Sequence, residues 1–407
     1  MRPGLFVVCC TSILCVISLA QTAPTLANSS FDGSIELEHR LFFDKSVDEQ
    51  AARGQSSARL LMEYVKDWNS GDDQIVFEPF VRLDSDDSER SHGDIRQFAY
   101  THYGKKSEFT MGISRVFWGV TESQHLVDIV NQTDAVENID GEDKLGQPMM
   151  RYAYFSDVGT FDAFLLPYFR ERTFVGADGR LNGGLLVDTD NPVFESSSEQ
   201  SNLDHALRYS NTWGDWGVGL SWFSGTSREA DLLRLADFAT GRTQPYYPQI
   251  DQLGADVQLT TGAWLLKFEG VQRNFDDTTY ADYAAATLGF EYTLVGLFGS
   301  VYDLGLLGEY SWDERNEMAS SVFQDDLFVG GRLLLNDVND SQVLFGLIND
   351  LDNSDSRSIF LEASSRIASS FTVNIELRYF DSDTPADPLF RFKDDSFIQI
   401  GVAYFFD

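Results

Sequence analysis

The sequence predicts an all-β fold, a single transmembrane antiparallel barrel of about eighteen strands, with about sixteen as the lower reading. Three observations carry this: segments of roughly ten residues whose polarity alternates, links between them that alternate in length, and a final segment that ends in aromatics. The first is plain in FTVNIELRYF, residues 371–380. Phe371, Val373, Ile375, Leu377 and Tyr379 are apolar, and Thr372, Asn374, Glu376 and Arg378 between them are polar. Successive side chains on a strand point to opposite faces, so this strand has one greasy and one wet face. A soluble sandwich would press the greasy face onto a core, whereas a membrane barrel would turn it to lipid.

Residues 1–20 read as a secretory signal peptide. Arg2 precedes an apolar run from Leu5 to Leu19, and Ser18-Leu19-Ala20 is a small-x-small cleavage site. A cut after Ala27 is the alternative, which makes residues 28–407 the barrel. The apolar run is short of a full helical span. Cys9, Cys10 and Cys15 all lie within it, so the mature chain enters an oxidising compartment without a disulfide. A continuous hydrogen-bonded sheet is the expected substitute.

Strands are expected near 34–43, 57–68, 74–84, 95–103, 108–118, 149–156, 160–170, 203–210 and 216–224. They continue near 251–259, 263–273, 284–293, 302–311, 326–336, 341–349, 358–367, 371–380 and 396–406. Each is long enough to cross a bilayer when tilted. The links alternate between long and tight, the tight ones being NSGDD, GKKS, DVG, NTWGD, TTG, LVGLFGS, DVND and ASS. Gly, Asn, Asp and Ser there supply the positive-φ positions that hairpins require. Short turns at one end and long loops at the other are the habit of outer-membrane barrels. Aromatics gather at strand ends, among them Phe42, Phe43, Trp68, Trp216, Trp222, Tyr310, Trp312, Tyr379 and Phe380, as interfacial girdles do.

With 64 acidic and 30 basic residues the formal charge is −34, which excludes nucleic acid as a partner. If the apolar parity faces lipid, the other parity lines the bore. On it stand Glu36, Glu38 and Arg40, then Glu78 and Arg82, then Lys267, Glu269, Arg273 and Glu291. Arg332, Glu362, Arg366, Glu376 and Arg378, with Asp204, Glu309, Arg170 and Arg208, complete the expected lining. A lipid-facing Arg or Lys at the midplane costs about 2–4 kcal/mol, so this many charges call for a wet interior. Their alternative role is to pair across neighbouring strands and satisfy one another.

The third long link, 119–148, carries the one helical pattern of the mature chain. In TESQHLVDIVNQTD, residues 121–134, Thr121 can cap and Leu126, Val127, Ile129 and Val130 form a stripe. The link is expected to fold inward as a constriction. Asp128, Asp134, Glu137, Asp140, Glu142 and Asp143 would then oppose wall bases such as Arg82, Arg332, Arg366 and Arg378. A surface loop on the rim is the alternative.

The aromatic strand SEFTMGISRVFWG running into this acidic link, on about eighteen strands after a signal peptide, resembles the alginate-export-type family of outer-membrane barrels and, more broadly, the porins. The last strand, FIQIGVAYFF, resembles the signature by which the barrel-assembly machinery recognises its clients, although Asp407 follows the terminal aromatic. The resemblance implies a bacterial outer membrane, with its lipid and lipopolysaccharide as surroundings, and diffusion of an anionic polysaccharide through an arginine-rich lumen. Here carboxylates match the arginines. The expected function is therefore a passive porin-like channel for small hydrophilic solutes or oligosaccharides, without cofactor, metal or covalent chemistry. A barrel-embedded hydrolase and a structural or adhesive barrel are the rivals. His39, His92, His102, His125 and His205 show no catalytic spacing, and the acidic stretches 84–90 and 352–358 do not match an EF-hand loop.

Overall fold

Each segment of alternating polarity contains a strand, although those expected at 108–118 and 160–170 end at Ser114 and Leu166. The computed structural model describes residues 29–45, 52–237, 242–316, 319 and 321–407, so the signal peptide and its cysteines lie outside the described residues. The barrel opens with β1 (Ser29–Phe42), β2 (Gly54–Trp68), β3 (Asp73–Asp84), β4 (Gly93–Tyr103), β5 (Ser107–Ser114), β6 (Gln147–Ser156) and β7 (Gly159–Leu166). Two short strands follow, β8 (Leu186–Val187) and β9 (Val193–Phe194), before the barrel resumes with β10 (Asp204–Trp213) and β11 (Trp216–Thr226). After β12 (Asp231–Asp237) and β13 (Arg242–Tyr247) come β14 (Gln249–Thr261), β15 (Trp264–Phe275), β16 (Tyr283–Leu294) and β17 (Asp303–Asp313). The last five are β18 (Asp325–Leu334), β19 (Gln342–Asp350), β20 (Arg357–Ala368), β21 (Phe371–Asp381) and β22 (Phe397–Phe406).

Eighteen of these form one sheet. Every pairing in it is antiparallel, and β1 pairs with both β2 and β22, which closes the barrel and leaves no edge. Strands β8, β9, β12 and β13 stand apart: β13 pairs with β12, β8 and β9 in a small separate sheet built from the links 167–203 and 227–248. Strands this short leave no readable period and are absent from the expected set. The expected transmembrane-barrel fold class is therefore the observed one.

Turn chemistry sets the register at one end. Trp213 faces Trp216 and Thr261 faces Trp264, so Gly214-Asp215 and Gly262-Ala263 are two-residue turns, with Gly214 and Gly262 both at φ 60. Length alternation is looser than expected. Links 295–302 and 335–341, at the short-turn end, are as long as 276–282 and 351–356 at the other. Two backbone devices adjust the wall. The β3–β4 register shifts between Glu78 and Pro79, where proline has no N–H for the ladder. At Gly112, φ is +137 and a Cβ would sit 2.2 Å from the Phe98 carbonyl oxygen, so only glycine lets β5 lie against β4.

The outer face is apolar and exposed. Leu37 on β1, Leu83 on β3, Leu253 on β14 and Leu288 on β16 are all 59–65% accessible. Trp216, Trp222, Tyr310, Trp312 and Tyr379 also face outward as expected. Phe42 and Phe380 do not: they are 1% and 7% exposed and point inward, packed on Phe397 and Phe392 respectively. Parity explains this, since each sits next to an outward residue.

Inside, the barrel is not uniformly wet. Trp118, Val127, Ile129 and Val130 of the link 115–146 pack on Met149, Phe164, Leu166, Phe223, Ile250 and Val271 of the inner wall. This is a hydrophobic core within the lumen, along the arc from β6 to β16. It is also why the expected helix is absent. Residues 121–134 form turns and irregular backbone, and no α-helix occurs among the described residues. The apolar stripe is buried as foreseen, but the wall, not an i to i−4 ladder, satisfies the backbone.

Candidate functional site

Three groups of side chains fasten the link 115–146 to the wall, and each follows from strand parity. On β15, Glu269 points inward and is fully buried beneath the link. Its Oε1 accepts from the Val120 N–H at 2.6 Å, the Thr121 N–H at 3.0 Å and the Thr121 hydroxyl at 2.7 Å. Its Oε2 accepts from the Val127 N–H at 3.3 Å. Two strands on, Glu309 of β17 accepts from the N–H groups of Glu122 and Ser123, both at 2.8 Å, and from the Ser123 hydroxyl at 2.7 Å. Glu122 in turn meets Arg332 of β18 at 2.7 Å and Lys267 of β15 at 3.5 Å. Carboxylates here do the work that helix carbonyls would otherwise do.

On the far side, β3, β4 and the link 85–92 present a guanidinium cluster. Arg82, 2% exposed, binds Glu137 of the link at 2.7–3.0 Å, donates to the Ser57 hydroxyl at 2.7 Å, and pairs with Glu38. Arg90 joins Glu38 to the Val136 and Glu137 carbonyls. Arg96 of β4 meets Asp134 at 2.6 Å, and His92 reaches the same carboxylate at 3.0 Å. Burial opposes ionisation of Asp134, yet the His92 hydrogen bond and the Arg96 guanidinium outweigh it and hold the carboxyl at about 2.

The third group stands on β20 and β21. Arg378 binds Glu376 and Glu362, each at 2.6 Å, and Asp140 of the link at 3.1 Å. Asn138 donates to Glu376 at 3.1 Å. Within the link, His125 pairs with Glu142 at 3.0 Å and stands 3.9 Å from Glu269. Burial would lower its pKa, but these two carboxylates push it up to about 10. Asp143, enclosed and facing Glu137, is pushed up to about 6.

Of the six acids expected to oppose wall bases, the geometry brings Asp134, Glu137 and Asp140 to arginines. Asp128 instead lies 3.4 Å from Lys144, a partner in the same link, and Glu142 is taken by His125. Asp143 has no basic side chain within 4 Å in the described structure. Arg366 also stands apart: it meets Asp340 at 2.8 Å beside the turn 335–341, at the short-turn end and remote from the link. The remaining wall residues are spread around the bore. Glu36 pairs with Arg59 at 2.5 Å and Glu78 with Arg115. Arg40 donates to Gln399 at 3.0 Å and lies over the Phe397 ring. Arg273 meets Glu229 at 3.2 Å, and Glu291 fills the space over Gly305.

Glu122, Arg90 and Arg96 are the functional side chains missing from the expected set, whereas Glu309 stands on the inward parity as expected. Arg96 shares parity with buried neighbours, so the alternation could have flagged it; Glu122 and Arg90 lie in links, where no period applies. On the outer face His39 Nδ1 is 2.9 Å from the Ser56 hydroxyl, but no acid orients the ring among the described residues.

No family model matches this chain, and no curated protein does. Solved structures that resemble it are outer-membrane β-barrels. A loop-deletion mutant of OmpT, an outer membrane protein of Vibrio cholerae, is 13% identical with a TM-score of 0.47, covering 93% of this chain and 99% of that one. In-vitro folded OmpT in its trimer form is 13% identical at a TM-score of 0.46, covering 94% and 100%. A mutant porin of Rh. blastica is 12% identical at a TM-score of 0.44, covering 93% and 100%.

Proposed function

We propose that this chain is a passive, porin-like channel of a bacterial outer membrane, selecting small hydrophilic solutes or oligosaccharides by width and by the field across its bore. The observation that carries the reading is the acidic link held across the lumen by wall charges, inside a closed barrel whose outer face is apolar. Arg82 and Arg96 with Glu137 and Asp134, and Arg378 with Glu362, Glu376 and Asp140, line the path beside the link with charged groups and narrow it for a solute. Transport here needs neither cofactor nor covalent step, and the barrel-assembly machinery would receive the chain through β22.

An alginate-type path for anionic polysaccharide is the finer reading that the resemblance suggests, and the Arg82, Arg90 and Arg96 cluster speaks for it. Those guanidiniums are already engaged by Glu38, Asp84, Glu137 and Asp134, which favours the broader class of solutes. Liposome swelling with neutral, cationic and anionic sugars of graded size tests both. Uptake of small sugars of every charge is expected, uptake of anionic chains alone would favour the finer reading, and no swelling at all would sink the channel.

A further inference from the structure

One buried guanidinium has no acid of its own. Eight arginines among the described residues are less than a tenth exposed, and all but Arg40 hold a carboxylate oxygen at 3.2 Å or closer. Arg40, on the inward parity of β1, is 3% exposed. Its Nε donates to the Gln399 side chain at 3.0 Å and its guanidinium lies over the Phe397 ring at 4.4 Å, while Nη2 is buried without a hydrogen-bond partner. Glu376 and Glu38 act on it only from beyond ion-pair distance, and they are taken by Arg378 and by Arg82 with Arg90. A buried charge left in this state is destabilising, because the interior neither screens nor hydrates it well.

The Arg40 side chain lines a small cavity where three links meet the wall. Gln55 shares the wall side, Val136 and Asn138 come from the link 115–146, and Arg180 comes from the link 167–203. Arg90 and Asp87 of the link 85–92 complete it. Three guanidiniums thus stand around one carboxylate, and that carboxylate is turned to backbone: Asp87 accepts from the Gly176 N–H at 3.2 Å and from the Glu89 N–H at 3.0 Å. Gln55 and Asn138 donate their amides elsewhere, to Asp84 and Glu376. Among the described residues, Arg40 Nη2 is the one buried side-chain nitrogen or oxygen of this lining without a partner. The space has room for one particle of water size.

We propose that this cavity binds a single halide ion, chloride in ordinary media, on Nη2 of Arg40. Water would serve the free N–H but leave the charge standing, whereas a monoatomic anion supplies acceptor and countercharge together. Phosphate, sulfate or the carboxylate of a sugar acid is too large for the space. The ion fastens Val136 and Asn138 of one link and Arg180 of another to β1, and this role does not depend on what the bore conducts.

The test is a crystal of the mature protein soaked in bromide, beside the Arg40→Met variant, which removes the charge and keeps a chain long enough to lie on Phe397. An anomalous bromide peak is expected within hydrogen-bond distance of Arg40 Nη2, and none there in the variant. In detergent, the wild type is expected to unfold at a higher temperature in sodium chloride than in sodium gluconate of equal ionic strength. That difference should be lost in Arg40→Met, whose folding is checked by heat-modifiable mobility. The wild-type bromide map decides the matter even where the variant does not fold. A water without anomalous signal at Nη2, bromide bound only as adventitious ions elsewhere, the same peak in Arg40→Met, or an equal chloride effect in both proteins would overturn the site.

Discussion

Replacing Glu269 by alanine probes whether the link 115–146 governs the bore. The carboxylate accepts three hydrogen bonds at 2.6–3.0 Å and a fourth at 3.3 Å, all from the link. Alanine leaves at least three buried donors without an acceptor, at about 1–3 kcal/mol each. Some turn to lumenal water, so the lower part of that range applies, about 3–5 kcal/mol against the docked link. Each 1.4 kcal/mol is about a tenfold change in population, so the detached state grows at least about a hundredfold. The ladder hydrogen bonds of β15 are main-chain, so the barrel itself persists. In planar bilayers Glu269→Ala should show larger or flickering single-channel currents, and Glu269→Gln, which keeps one acceptor oxygen, a smaller change in the same direction. Currents indistinguishable from wild type in a folded Glu269→Ala barrel would refute the claim that this carboxylate docks the link.

Deleting residues 121–143 should raise single-channel conductance, and an unchanged value would remove the segment from the pore. Arg378→Ala leaves Glu376, Glu362 and Asp140 without their arginine, so the reversal potential in a salt gradient should shift towards cation selectivity; a shift towards anions would count against these charges acting on the permeating ion. His125 has a folded pKa of about 10 against an ordinary value of 6.5, so its stabilisation is complete below 6.5 and is lost as pH rises through 10. Current noise should therefore increase between pH 8 and pH 11 and lose that dependence in His125→Gln. Gly112→Val places a branched side chain against the Phe98 carbonyl, and the heat-modifiable folded band should weaken or vanish.

All eighteen expected barrel strands exist, because side-chain alternation and turn chemistry are local: a strand such as 371–380 shows its two faces within ten residues, and Gly262 marks its own turn. The same locality placed Glu36, Arg82, Glu269 and Arg378 on the inward parity. It could not say which inward residues meet water and which meet the link, since that depends on contacts from residues more than a hundred positions away, as Glu269 with Thr121 shows. Nor could it see that residues 121–134 give up their helix. The stripe reads as helical because burial on one side is all that period records, whereas the wall carboxylates that take the backbone donors enter only when the barrel closes. Sequence alone therefore determined the sheet and its sidedness. Closure decided which charges meet across the bore, because distance between strands far apart in the chain is a property of the barrel and of no single segment.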